Sequence, residues 1–298
     1  MHRSNESSLR TFRQPNDAVK PSAFSVEVAE KWALERSWKL PGELFRLMAF
    51  WYIEFFVQWV PEDRKTRYTV RLAQSGNYGL ACGLTPALHD PDPDFIGMDT
   101  RQILRDRLCR DYLDRTALVD LLIAHVSGSA HERITLDDTI NIKYAGRSRI
   151  FADEAERVLR RKGTKNLKGS KPRVVVVGAT AGIIDALIRR GFEVSAADLS
   201  PEVVGKEIGG VRVCDGKVAN APLIKDADLA IITGMTLSNR TLPGLMKLAK
   251  QHNTSTIIWA ITGKNFGYYY TEHGADCVIS DFLMLPGPAT LTIWRREN

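Results

Sequence analysis

The chemistry-bearing residues of this 298-residue chain are densest in VVVVGATAGIIDALIRRGFEVSAADLS, Val174 to Ser200. Four valines run into Gly178, small residues and an apolar-periodic stretch follow, and a second β-branched run ends on Asp198, 20 residues after Gly178. Strand, glycine turn, helix and an acid closing the next strand make a nucleotide-binding βαβ unit. The acid accepts hydrogen bonds from the ribose hydroxyls of an adenosine, and Leu199 beside it is a further candidate contact.

The turn discriminates between nucleotides. In a GxGxxG fingerprint the second glycine lets the backbone approach a pyrophosphate. Aligned on Gly178, that position is Thr180 and the third is Ile183. A branched side chain crowds a diphosphate. S-adenosylmethionine carries none, and Thr180 can donate to its carboxylate while the helix starting near Gly182 offers free N–H groups to the same anion. The residues therefore favour S-adenosylmethionine over NAD, with a nucleotide-type fold holding no nucleotide as the bland alternative.

Later strand ends extend the site. VRVCDG puts Asp215 where an acid accepts from an adenine amino group. LAIITGMTLSNRTL ends a strand at Thr233 and Gly234, followed by Thr236, Ser238, Asn239 and Thr241. Some of these cap the next helix; Ser238 and Asn239 are candidates for touching substrate. Tyr144 and Asn141, in the polar stretch DDTINIKYAGRSRIF before the first strand, are lid candidates. Asn141, Tyr144 and Ser238 form the candidate catalytic set. The aromatics Trp51, Tyr52, Phe55, Phe56 and Trp59, and Tyr268 to Tyr270, could face a sulfonium cation, although helical spacing makes the first group core residues.

The elements that hold these residues fall into two halves. Residues 1–22 read as a flexible tail without a signal-peptide core. Residues 23–165 read as a mainly helical bundle or lid domain. Ser25 is an N-cap, PGELFRLMAFWYIEFFVQWV is apolar around its circumference and so a central helix, and DTRQILRDRLCRDYLDRTALVDLLIAHV is amphipathic with a break near Asp114. TRYTVRLAQ and YGLACGL fit either strands or continued helix. Residues 171–298 alternate β-branched runs with helical gaps, the pattern of an α/β, Rossmann-like, doubly wound parallel sheet.

Composition narrows the class further. The chain is 44% apolar and 26% charged, with net charge +6 and four separated cysteines. No run approaches the roughly 18 apolar residues of a membrane span. Unpaired cysteines fit a cytoplasmic protein. Arg157 to Arg173 holds eight basic residues and no acid, a solvated helix end and linker, and no nucleic-acid-binding module is recognisable. The expected partner is a small molecule, with a homo-oligomer open.

TGMTLSNRTL, the segment around Thr262-Gly263 and the turn Gly274-Ala275-Asp276 resemble a Rossmann-like family of proposed heavy-metal chelators, over roughly Lys171 to Pro286. That resemblance implies metal binding. The histidines, however, form no i,i+4 or HxH pair, and HDPDPD, His89 to Asp94, is the one acidic string able to hold a cation. The layout of a helical bundle before a methyltransferase-like core is similar to azetidine-2-carboxylate synthases. That similarity implies cyclisation of S-adenosylmethionine with release of methylthioadenosine, a lyase-type reaction needing positioning more than acid–base groups. A small-molecule methyltransferase is the alternative, and a non-catalytic metal- or ligand-binding protein the second.

Overall fold

A computed structural model of the chain describes residues 22–59, 64–83, 95–136, 140–163, 170–281 and 288–297. Helix α1 (Val26–Ser37) starts at Ser25, whose hydroxyl accepts the Val28 N–H at 3.3 Å. Strands β1 (Ala49–Trp59), β2 (Arg64–Gln74) and β3 (Tyr78–Gly83) then form an antiparallel sheet in that order. Helices α2 (Thr100–Arg105) and α3 (Tyr112–Val126) follow. The break between them sits just before Asp114, where Asp111 caps α3 by accepting the N–H groups of Leu113 and Asp114.

The helix expected over the aromatic run is therefore strand β1. Its outward residues are apolar too, Trp51 being 40% and Ile53 38% exposed, so the period-two alternation that marks a half-buried strand is missing. TRYTVRLAQ and YGLACGL, open between two readings, are β2 and β3.

The rest of the chain builds one large sheet. Strand β4 (Glu132–Leu136) and helix α4 (Ile140–Arg161) precede β5 (Arg173–Val177), α5 (Ala181–Arg189), β6 (Glu193–Asp198), β7 (Glu207–Ile208) and β8 (Val211–Asp215). Then come α6 (Gly216–Asp226), β9 (Leu229–Thr233), α7 (Met235–Ser238), α8 (Leu242–Gln251), β10 (Ser255–Trp259), α9 (Gly267–Glu272), β11 (Cys277–Ser280) and β12 (Ala289–Arg295). The sheet order is β4-β12-β11-β10-β9-β5-β6-β8-β7. Its centre, β8-β6-β5-β9-β10-β11, is parallel throughout, and β12 and β4 add antiparallel edges. In sequence rank this is the 3-2-1-4-5-6 order of doubly wound sheets, with its reversal between β5 and β9. The α/β class expected for this half holds.

Both faces of the sheet are covered. Val174 and Val176 pack with Phe151, Ala155, Ile183 and Ile184 under α4 and α5. Val175 and Val177 pack on the other face in a cluster that also takes in Phe24, Leu121 and Tyr270. Each buried valine contributes roughly 1.5–3 kcal/mol of transfer free energy. This places α1, α3 and the strands of the expected lid domain in the same core as the sheet. With β4 at the sheet edge and α4 on its face, the boundary expected between 165 and 171 does not separate two cores. Among the described residues no helix is long and apolar enough to cross a membrane.

Candidate functional site

The carboxyl ends of β5, β6, β9 and β10, with the residue after β11, border one cavity of about 400 Å³. It lies where the strand order reverses, the general ligand position of open α/β sheets. The floor comes from Gly178, Asp198, Leu199 and Thr233; α4 supplies a wall through Tyr144, Arg147 and Ser148; and Tyr68 and Cys82 of the smaller sheet reach its rim.

The turn after β5 is shaped by packing and φ. Gly178 has φ +93°, and a Cβ there would meet the Thr233 side chain at 2.6 Å. Only glycine turns this way so close to β9. Its own N–H donates to the Ala197 carbonyl at 2.8 Å. Asp198 holds the loop from the other side: Oδ2 accepts the Ala179 N–H at 2.9 Å and Oδ1 the Ser200 N–H at 2.8 Å. Each oxygen keeps a second lone pair, and Asp198 lines the cavity.

Thr180 is the N-cap of α5 without a side-chain capping bond; its hydroxyl lies 3.5 Å from the Gly178 carbonyl. Gly182 faces α4, and a Cβ on it would lie 2.7 Å from the Ser148 Oγ. Both glycines of the loop thus admit a close neighbour, β9 in one case and α4 in the other.

Of the expected contacts, Gly178, Thr180, Gly182, Asp198, Leu199, Thr233 and Tyr144 share the cavity. Tyr144 lies on α4, not in a loop, and burial raises its hydroxyl pKa against the pull of Arg147. Asn141 falls in the first turn of that helix; its side chain lies outside the described residues. Three expectations are corrected. Asp215 does not line the cavity; it caps α6 by accepting the Lys217 N–H at 2.9 Å. Ser238 is turned away, donating to the Cys82 carbonyl at 2.7 Å. Gly234 is packed under β10, where a Cβ would meet the Thr262 carbonyl oxygen at 2.6 Å.

The Thr233–Thr241 stretch is largely a joint. Thr236 donates to the Thr233 carbonyl at 2.6 Å, and Asn239 accepts the Thr241 N–H at 3.1 Å. With Ser238, Thr262 grips β3, accepting the Cys82 N–H at 2.9 Å and donating to its carbonyl at 3.1 Å. The hydroxyls therefore dock the smaller sheet onto the larger one. Met235, Thr236, Asn239 and Thr241 still contribute cavity surface. The Cys82 thiol reaches the cavity, but burial pushes its pKa up to about 12, which removes it as a nucleophile at neutral pH.

Three polar cavity residues were not singled out by the sequence analysis. Asn220, on α6, has a buried Oδ1 with no hydrogen-bond partner among the described residues. Arg147 is 3% exposed, with the Tyr144 and Trp259 rings 4.6 and 4.7 Å from its guanidinium carbon. Asp281 lies 4.0 Å from Arg147 Nη1 and accepts the Trp259 indole N–H at 3.0 Å. Nothing local marks them: Arg147 is one of several basic residues in a polar stretch, and Asp281 closes an apolar run with no motif around it. Of the aromatics, Tyr269 and Tyr270 are buried in the core and Tyr52 pairs with Asp114 at 2.5 Å, so none of these faces the cavity. Phe55, Phe56, Trp59 side chains and the His89–Asp94 string lie outside the described residues. Among the described residues, no three His, Cys, Asp or Glu side chains converge as a metal site.

Residues 166–263 match the family DUF364, described as "Putative heavy-metal chelation"; this is less than half of the chain. In fold, the chain is similar to a DUF364 protein of unknown function from Desulfitobacterium hafniense DCB-2, with a TM-score of 0.50 at 13% identity over 90% of this chain and 98% of that one. A DUF364 protein of unknown function from Pyrococcus horikoshii gives a TM-score of 0.47 at 13% identity over 87% of each chain. No curated protein matches. At 13% identity the likeness to the Desulfitobacterium protein is one of fold alone.

Proposed function

We propose that the chain binds an adenosine-type nucleoside with a short tail, S-adenosylmethionine being the compound of choice. The observation that carries this reading is the meeting of the Gly178 turn and the Asp198 carboxylate on one cavity floor. The spare lone pairs of Asp198 suit two ribose hydroxyls, and the unpartnered Asn220 Oδ1 takes the place expected of Asp215, as acceptor for an adenine amino group.

Two features support a single nucleoside over a dinucleotide, although the strand order suits both. The cavity has room for one nucleoside and a short tail. Helix α4 also stands over the first turn of α5, with Ser148 against Gly182, which is where a diphosphate would sit.

If S-adenosylmethionine is consumed, the chain contributes positioning. The cavity carboxylates are already engaged: Asp198 by backbone N–H groups, Asp185 by Arg189 at 2.6 Å, and Asp281 by Trp259. In a ring closure the α-ammonium gives up one proton, the freed nitrogen attacks the γ-carbon and methylthioadenosine leaves, so the main demand on the chain is to hold nitrogen and carbon in line. Of the candidate catalytic set, Tyr144 lines the cavity. Incubation of the full chain with S-adenosylmethionine alone, followed by mass spectrometry, tests this. Methylthioadenosine supports the cyclase; S-adenosylhomocysteine appearing only with an added acceptor supports a methyltransferase. Retention of the nucleoside unchanged supports a binding protein, the reading nearest to the family description. Retention of NAD with no affinity for S-adenosylmethionine overturns the proposal.

A further inference from the structure

Three arginines of the described chain are deeply buried around carboxylates, and one differs from the others. Arg71 Nε donates to Asp114 at 2.6 Å, and Arg101 donates to Asp99 and to the carbonyls of Ser37 and Leu40. Arg147 Nε is buried with no hydrogen-bond partner among the described residues, and Nη1 approaches Asp281 only to 4.0 Å. A guanidinium carries five N–H donors and does not lose its proton. Burying the Nε donor without a partner opposes folding, and the guanidinium borders the cavity, where a ligand can meet its donors.

The surroundings define what fits. The Tyr144 and Trp259 rings lie near the guanidinium and line the cavity with it. A ligand best meets the guanidinium along its edge, where the planar donor fork matches the two oxygens of a carboxylate. Asp281, fully buried, sits 4.0 Å from Nη1 and is oriented by the Trp259 indole. Its negative charge lies beside the positive charge of Arg147. A doubly negative phosphate would meet Asp281 as a repulsive neighbour. A group with a negative and a positive end a few ångströms apart would find a partner for each.

We propose that Arg147 and Asp281 together form a receptor for the zwitterionic head of an α-amino acid, Arg147 taking the carboxylate and Asp281 the ammonium. The inference rests on the nucleoside reading above for the other end of the ligand, and it makes that ligand a nucleoside with an aminoacyl tail. Arg147 is here a binding residue. It sits one residue from Ser148, the contact that closes α4 on Gly182, so tail and nucleoside meet at the same helix.

Calorimetry on the full chain with S-adenosylhomocysteine and 5′-methylthioadenosine separates head from nucleoside, because both are neutral thioethers of the same adenosine. The wild type should favour S-adenosylhomocysteine at least tenfold. Arg147→Gln and Asp281→Asn should each remove that preference and leave methylthioadenosine affinity unchanged. Arg147→Lys, which keeps the charge and is the variant to use if Arg147→Gln does not fold, should lose part of it. No preference in the wild type, or equal weakening of both ligands in the variants, overturns the proposal. A thermal-shift series with L-methionine distinguishes the two readings. If neither nucleoside binds but L-methionine raises the wild-type Tm and not that of Arg147→Lys, the head receptor stands and the nucleoside reading falls. If L-methionine has no effect either, both fall.

Discussion

Asp198 Oδ2 accepts the backbone N–H of Ala179 at 2.9 Å, tying the end of β6 to the turn after β5. One carboxylate thus shapes the loop and presents the lone pairs proposed to read a ribose. Asp198→Ala is expected to lower nucleoside affinity by at least about 1.5 kcal/mol, roughly tenfold, and also to lower stability, since the N–H groups of Ala179 and Ser200 lose their acceptor. Calorimetry and denaturant titration measure the two effects. An unchanged affinity would remove Asp198 from the binding site.

The approach of α4 to α5 makes a coupled pair of Gly182 and Ser148. Gly182→Ala should cost about 1–3 kcal/mol, because its Cβ would lie 2.7 Å from the Ser148 Oγ. Adding Ser148→Ala should recover part of that loss, giving a double-mutant coupling above about 0.5 kcal/mol. Strict additivity in urea titrations would mean that α4 does not stand where the structure has it.

Helix α4 is pinned to the sheet edge by Arg295, which donates to Glu154 through Nε at 2.8 Å and Nη2 at 2.7 Å, and to Glu132 at 2.6 Å. Glu154 is 3% exposed. Arg295→Met leaves that carboxylate buried without its main partner and should destabilise the fold by about 3–5 kcal/mol. Because α4 carries Arg147 and Tyr144, a milder Arg295→Lys should weaken ligand binding without touching the cavity. Equal affinity of wild type and Arg295→Lys would show the anchor to be irrelevant to the site.

Asp120 joins the two sheets, accepting the N–H groups of Leu80 and Asn265 at 2.8 Å each. Full burial pushes its pKa up to about 7. The folded protein then binds a proton between pH 4 and 7 that the unfolded chain releases, with an ordinary aspartate near 3.9. Its contribution to stability is therefore complete below pH 4 and is lost as pH rises to 7. Compared with Asp120→Asn, the wild type should lose on the order of a few kcal/mol across that window. Parallel stability–pH curves for the two proteins would contradict this.

The sheet was legible because β-branched runs such as RVVVV and LAIIT, buried on both faces, resemble nothing else at that length. Its glycine turn and acid were legible for the same reason: they mark strand ends. The first half was harder. β1 carries Trp51 and Ile53 outward, so its alternation is hidden and it imitates a buried helix. The front of α4 is rich in polar and basic residues and carries no clear helical periodicity, which conceals Arg147 beside the expected Tyr144. Ser238 and Asp215 were misplaced because a small polar residue at a strand end serves a cap or a joint as readily as a ligand, and only the contact to Cys82 or to Lys217 decides between them.

A structure of the chain soaked with S-adenosylhomocysteine tests the nucleoside site most directly. The account predicts the ribose hydroxyls on Asp198 and the adenine amino group on Asn220. A nucleoside bound anywhere else, or a dinucleotide seated with its diphosphate on the first turn of α5, would contradict it.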